Sequence, residues 1–166
     1  MVKEGENQNK KGILSSFESL GKDEKIELLA SLILTLKEKA SKDFVPVVIF
    51  DNDKLSTFES LVKYMKESLK LRFVVIASLL NRSDKTIWTT YKKAKQKMPA
   101  DFSSVVSDIN IPIKNFSDRT FTIFESLVVY LKDLNLTNHE IAVMLHRDDR
   151  TIWSIYDKAK RKRSNK

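Results

Sequence analysis

The chain has 166 residues, and its 30 Lys and Arg residues against 22 Asp and Glu residues give a formal net charge of +8. The lack of cysteine excludes disulfides and thiolate metal sites, and 42% hydrophobic residues with three Gly and three Pro are typical of a helix-rich globular chain. The excess of positive charge favours an anionic partner.

The first 43 residues divide into a tail and a helical region. Residues 1–12 are polar and lack the apolar core of a signal peptide, so we expect a disordered tail. Residues 13–43 contain apolar side chains at alternating three- and four-residue spacing, which predicts an amphipathic helix from Asp23 to Ala40. This stripe consists of Ile26, Leu29, Ile33 and Leu36. It packs either on the next domain or against a second copy, and the homodimer is the favoured interpretation.

The rest of the chain contains an internal repeat. The sequence Thr86-Ile87-Trp88 recurs 65 residues later, and residues 45–98 and 111–163, aligned with one gap near Ser68, are identical at 24 of 53 positions. We expect one domain at 44–98, a linker at 99–118 and a second domain at 119–166 that ends in a basic tail.

Each repeat begins with an extended segment around a proline, Pro46 or Pro112, which could form a short β-pair or an arm on a neighbouring unit. The first helix then begins at a capping box, at Ser56 in one repeat and at Thr122 in the other, and is expected to be about four turns long. A shorter second helix follows at about residues 73–80 and 137–145.

A tight turn at Asn81 or His146 precedes the third helix, and both residue types are enriched at positive φ. Three helices with a sharp corner before the last are typical of a helix-turn-helix. The predicted fold class is therefore all-α: an N-terminal helix followed by two tandem three-helix helix-turn-helix domains, each preceded by a short extended proline-containing segment.

Residues 76–87 and 141–152 resemble the helix-turn-helix of bacterial sigma-factor region 4, response-regulator effector domains and some insertion-sequence transposases. The resemblance implies that a small residue, Ala77 or Ala142, lets two helices approach, and that the last isoleucine of each segment fills their shared core. It also implies that the residues between these positions contact DNA.

The chain departs from this family pattern at the turn. The family usually has Gly there followed by an aliphatic residue, whereas this chain has Asn81-Arg82 and His146-Arg147. Transposase-type motifs tolerate Arg at this position, so the motif is retained without indicating one subfamily.

The positive charge is confined to the turn and third helix of each repeat. Residues 81–97 and residues 146–166 each carry a net charge of +5, while the remaining residues together carry −2. Such clusters suit phosphate neutralisation, and short polar side chains near the start of the third helix suit base contacts. The predicted DNA-binding residues are Arg82, Ser83, Lys85, Thr86, Thr89, Lys92, Lys93, Lys95, Arg147, Arg150, Thr151, Ser154, Lys158, Lys160 and Arg161.

Four further side chains have two interpretations each. Asp84 and Asp149 either cap the third helix or accept a hydrogen bond from cytosine, and capping is favoured. Trp88 and Trp153 either pack over the first helix or the proline segment, or contact DNA, and packing is favoured because aromatic side chains dominate small cores.

The function predicted from these features is binding of double-stranded DNA in the major groove, as a transcriptional regulator or nucleoid-type protein in the cytoplasm. The alternative is a protein-interaction adaptor, because sigma-type units also dock on the transcription machinery. The sequence has no phosphate loop, nucleophile elbow or zinc-ligand spacing, so we expect neither an enzyme nor a metal or cofactor site. No apolar run reaches the roughly 20 residues of a membrane span.

Overall fold

The computed structural model describes residues 15–41, 43–102, 105 and 107–164, with only the backbone described for 34–41. The tail predicted for residues 1–12 and the last two residues of the basic C-terminal tail lie outside these ranges. The chain is predominantly helical, as predicted, and divides into two compact units, Met1–Ser41 and Lys42–Lys166.

The first unit contains helix α1, Lys22–Ser41, within two residues of its predicted bounds. Its apolar stripe is exposed: Ile26, Leu29 and Ile33 retain 57%, 47% and 53% of their accessible surface. The side chain of Leu36 lies outside the described part of the chain. Among the helices that the structure describes, none is both long and apolar enough to cross a membrane.

The second unit contains both repeats, and their elements occur in the same order. The first repeat consists of strand β1 (Phe44–Pro46), a 3-10 turn (Val47–Phe50) and helices α2 (Thr57–Glu67), α3 (Phe73–Leu79) and α4 (Asp84–Lys97). The second consists of strand β2 (Asn110–Pro112), a 3-10 turn (Ile113–Phe116) and helices α5 (Ile123–Asp133), α6 (Asn138–Met144) and α7 (Asp149–Ser164).

The predicted capping boxes start α2 and α5. The Ser56 hydroxyl accepts from the Glu59 N–H while the Glu59 side chain accepts from the Ser56 N–H, and Thr122 makes the same pair of bonds in the second repeat. Both helices have 11 residues, about three turns rather than the expected four. They end early because Lys70 and Asn135 take φ values of 56° and 63° just beyond them, which an α-helix cannot continue through.

The corner before the third helix is built in the same way in both repeats. Asn81 and His146 have φ values of 51° and 49°, as their residue types predicted. The next N–H, from Arg82 or Arg147, donates back to the carbonyl of Ala77 or Ala142 at 2.9 Å. This bond closes the second helix and redirects the chain into α4 or α7.

The two proline segments form the β-pair that the sequence allowed. Strands β1 and β2 are antiparallel, with Val45 opposite Ile111, two residues that occupy the same position of their repeats. The flanking pairs are Phe44 with Pro112 and Pro46 with Asn110, so exchanging the two repeats leaves the pairing unchanged. A pseudo-twofold axis therefore passes between Val45 and Ile111.

The same symmetry holds for the hydrogen bonds beside the strands. The Val47 N–H donates to the Ile109 carbonyl at 3.0 Å, and the Ile113 N–H donates to the Asp43 carbonyl at 2.9 Å. Each of these bonds becomes the other when the repeats are exchanged. Of the two predicted alternatives, a β-pair or an arm on a neighbouring unit, the structure contains the β-pair.

Both repeats share one hydrophobic core. The equivalent rings of Phe50 and Phe116 lie 6.0 Å apart across the axis, and the equivalent helices α2 and α5 pack against each other. The stretch predicted as a linker, residues 99–118, contains β2 and the second 3-10 turn, which contribute Ile111 and Phe116 to this core. The predicted domain boundaries therefore mark two repeats inside one compact unit.

Candidate nucleic-acid interface

Helix α4 has one buried face and one exposed face. Ile87 and Ala94 are fully buried where α4 packs on α2 and α3. Because successive side chains are about 100° apart around a helix, Lys85, Thr89 and Lys92 lie opposite Ile87, and all three are exposed. Their exposed row of two cations and a hydroxyl is called the α4 outer face.

Helix α7 has the same arrangement with a different charge pattern. Ile152 is buried, and the side chains of Arg150 and Ser154 are exposed on the opposite side, which we call the α7 outer face. At the position of Lys92, this face carries Asp157, which pairs with Arg161 at 2.9 Å. The acid thus neutralises one of the predicted DNA-binding cations.

Two lysines of the third helices pair with buried glutamates of the first helices. The Lys97 ammonium lies 2.8 Å from Glu59, and the Lys162 ammonium lies 2.6 Å from Glu125. Burial raises the pKa of both carboxyls, but hydrogen bonds from these lysines and from the capping-box backbone outweigh it and leave each pKa below its ordinary value. The glutamates of the capping boxes therefore also tie the third helix to the first.

Two predicted site residues also have acidic partners. Lys95 lies 3.1 Å from both Glu67 and Asp101, and Lys158 lies 3.8 Å from Glu125. These carboxylates compete with phosphate for the two ammonium groups.

Four exposed cations of the predicted site make neither an ion pair nor a cation-π contact in the part of the chain that the structure describes. Exposed cations without an acidic partner remain available to phosphate. They are Lys85, Lys93, Arg150 and Lys160.

The turn arginines are half-buried and differ between the repeats. Arg147 donates to the Asn52 carbonyl at 3.2 Å, next to a contact of 2.6 Å between His146 and Asp51. Both contacts cross from the second repeat to the first.

The turn of the first repeat lies near a basic residue, whereas the turn of the second repeat lies near the acid Asp51. Burial and the neighbouring charge of Arg119 lower the pKa of Arg82. Sequence analysis missed Arg119, because it lies outside the turn and the third helix of its own repeat. Only the antiparallel packing of the repeats brings it close to Arg82.

Several short polar side chains of the predicted site already have partners. The Ser83 hydroxyl caps α4 by accepting from the Thr86 N–H at 3.2 Å and also bonds the Thr86 hydroxyl at 2.8 Å. Thr151 is half-buried, whereas Thr89 and Ser154 are exposed. Thr89 and Ser154 are thus better placed for base contacts than the bonded pair Ser83 and Thr86 or the half-buried Thr151.

The favoured roles of the two aspartates are wrong. Ser83 is the N-cap of α4, and Asp84 is the first residue inside the helix. Asp149 is likewise the first residue of α7, where its carboxylate lies 3.2 Å from His139. Both carboxylates stand where the helix dipole favours a negative charge without capping the helix.

The favoured packing role of the two tryptophans is also wrong. Trp88 and Trp153 retain 47% and 59% of their accessible surface. Each follows a buried isoleucine by one residue, which rotates it about 100° away from the core. The Lys92 ammonium lies 4.1 Å from the Trp88 ring centre in a cation-π contact, so the two tryptophans border the outer faces.

Across the described residues, no group of three or more His, Asp or Glu side chains could hold a metal ion. Comparison with known proteins finds no matching family model, no similar curated protein and no similar solved structure.

Proposed function

We propose that residues 42–166 form two helix-turn-helix units that bind double-stranded DNA with α4 and α7 in the major groove, as a transcriptional regulator or nucleoid-type protein. The observation that carries the proposal is the separation of cations on these helices. Lys97 and Lys162 are neutralised by buried glutamates, whereas Lys85 and Arg150 are exposed with no acidic partner among the described residues.

The turn of the first repeat gives further support. Arg82 and Arg119 are like charges brought together by the fold, and Arg119 makes no ion pair in the described part of the chain. Their mutual repulsion is relieved when an anion binds between them. A DNA phosphate next to the start of α4 is such an anion.

The salt dependence of DNA binding tests the proposal. Fluorescence anisotropy with a labelled 25-base-pair duplex is expected to show nanomolar to micromolar binding at 50 mM salt. With about six phosphates neutralised, the affinity is expected to drop on the order of a thousandfold by 200 mM salt. No measurable binding at 50 mM salt would contradict the proposal.

A charge-removal variant identifies the surface involved. The double substitution Lys85→Gln with Arg150→Gln is expected to lower affinity at least tenfold and to reduce the salt slope by about 2. The matched control, Lys22→Gln with Lys114→Gln, removes the same charge outside α4 and α7 and is expected to bind nearly as the wild type does. Equal losses in both variants would place binding elsewhere.

The second candidate function is a protein-interaction adaptor. Val143 and Trp153 retain 64% and 59% of their surface, and large exposed apolar side chains are common at protein interfaces. The substitution Trp153→Ala distinguishes the two functions. If the protein is an adaptor, neither the wild type nor the variant binds duplex DNA, and the variant loses its protein partner. If the protein binds DNA, the variant loses DNA affinity at an unchanged melting temperature.

We also propose that α1 mediates self-association, because its apolar stripe is exposed over at least three positions. Light scattering of the full chain is then expected to give twice the chain mass of 19.2 kDa. Replacing Ile26, Leu29 and Ile33 with Gln is expected to halve that mass. A monomeric wild-type chain at micromolar concentration would exclude the dimer.

A further inference from the structure

The relation between the two repeats in the fold indicates which kind of DNA site the chain fits, an inference that rests on the proposed function. Two repeats that follow each other along a chain can be related in the fold by a translation or by a twofold rotation. The sequence is the same in both cases. The arrangement decides which DNA the chain fits, because it fixes the relative direction of α4 and α7.

The contacts between the repeats identify the arrangement as a twofold rotation. Val45 pairs with its own equivalent, Ile111, in antiparallel strands, and Phe50 lies against its own equivalent, Phe116. A translation would bring one surface of a repeat against a different surface of the next. Contacts of equivalent with equivalent occur only where a twofold axis relates the two partners.

Further contacts between the repeats hold them in this twofold arrangement. The reciprocal hydrogen bonds from Val47 and Ile113 flank the strands, and α2 packs against α5. At the turn of the second repeat, Arg147 donates to the Asn52 carbonyl of the first. These contacts join the two repeats directly, so the spacing of α4 and α7 is set by the fold.

We infer that one chain reads an inverted repeat in DNA, as a dimer of helix-turn-helix proteins does, although its own repeats run in tandem. Duplex DNA has twofold axes perpendicular to its length. Two recognition helices related by a twofold axis therefore meet half-sites that run in opposite directions on the two strands. A translational arrangement would instead require a direct repeat.

The two halves of this site are unequal. The α4 outer face carries two cations, Lys85 and Lys92, whereas the α7 outer face carries one cation, Arg150, and the acid Asp157, which pairs with Arg161. The half-site under α4 therefore receives more phosphate contacts. The chain is expected to bind an imperfect inverted repeat in one orientation.

The experiment is selection from a pool of duplexes with 30 random base pairs, followed by anisotropy with the enriched half-sites rebuilt in different arrangements. The full chain is expected to bind the inverted arrangement at least tenfold more tightly than the direct arrangement or a single half-site. Spacing should show one optimum near 10 base pairs between half-site centres.

Each other outcome has a defined meaning. A direct arrangement that binds as tightly as the inverted one, or binding with no enriched arrangement, would overturn the inference and leave DNA binding itself intact. No binding to any member of the pool at 50 mM salt would overturn the proposed function and the inverted site with it. Hydroxyl-radical footprints provide a second readout, since protection related by a dyad is expected only for the inverted arrangement.

Discussion

The two repeats have the same backbone structure and differ in the side chains on their exposed helix faces. Capping boxes at Ser56 and Thr122, positive φ at Asn81 and His146, and buried Ile87 and Ile152 recur position by position. The outer faces have diverged, with Lys92 in one repeat and Asp157 in the other. The fold is thus specified by local signals and a shared core, which leaves the exposed helix faces free to acquire different charges.

A second difference between the repeats lies on their first helices, α2 and α5. In the first repeat, Lys63 is fully buried, pairs with Glu67 and lies 5.9 Å from the Phe102 ring centre. Val129 and Asp133 occupy the equivalent positions of the second repeat, and Asp133 pairs with Arg163 at 3.4 Å on the surface. Phe102, which follows α4, therefore packs on the first helix of the first repeat beside the buried Lys63.

The largest expected effect compares these equivalent acids. Glu67→Ala leaves the Lys63 ammonium buried without its partner and is expected to cost about 3–5 kcal/mol of folding free energy. Asp133→Ala breaks only an exposed pair and is expected to cost less than about 1 kcal/mol. Urea unfolding of both variants measures the difference. Equal costs would mean that Lys63 is not buried as described.

Truncation of the equivalent core residues is the next largest effect. Ile87→Ala and Ile152→Ala each remove a fully buried side chain and are each expected to cost about 2–5 kcal/mol. Because both repeats share one core, each variant is expected to unfold in a single transition. Two separate transitions in calorimetry would show that the repeats are independent domains.

Exchanging the diverged charges of the outer faces has a smaller effect. Asp157→Lys is expected to raise DNA affinity roughly tenfold at 100 mM salt and the salt slope by about 1, and Lys92→Asp is expected to do the reverse. The double variant keeps the net charge and serves as the control, with affinity near the wild-type value and the preference for the two half-sites exchanged. If neither single substitution changes the DNA affinity, these faces do not belong to the interface.

The smallest effect concerns pH. The pKa values of Glu59 and Glu125 lie below their ordinary value of 4.5, so both carboxyls stabilise the fold above that pH and lose this contribution as the pH falls through their folded-state values. The melting temperature is therefore expected to decline below about pH 4.5. Glu125→Gln should lower it at pH 7 and flatten the decline. An unchanged acid slope in that variant would contradict the role of Glu125.

Local features of the fold were predictable from the sequence. A hydroxyl followed three residues later by Glu predicted the starts of α2 and α5, and the residue types at Asn81 and His146 predicted the sharp corners. These signals act within four or five residues, so they can be recognised without knowledge of the packing. The same holds for the strands at Pro46 and Pro112 as extended segments.

The features that depend on packing were not predictable in this way. The sequence allowed a β-pair of the proline segments but did not indicate its register, so the twofold arrangement and the effect of Arg119 on Arg82 of the other repeat were missed. Trp88 was assigned to the core because it is large and apolar. Its angle on α4 places it outside, which residue type alone cannot show.

In the proposed complex, α4 and α7 present their outer faces to duplex DNA together. Amide chemical-shift mapping of the isotope-labelled full chain with a 20-base-pair duplex tests this arrangement most directly. The expected result is perturbation in residues 82–93 and in residues 147–158 at the same DNA concentration, reversed by 300 mM salt. Perturbation confined to one repeat or to α1, or none at all, would contradict the claim.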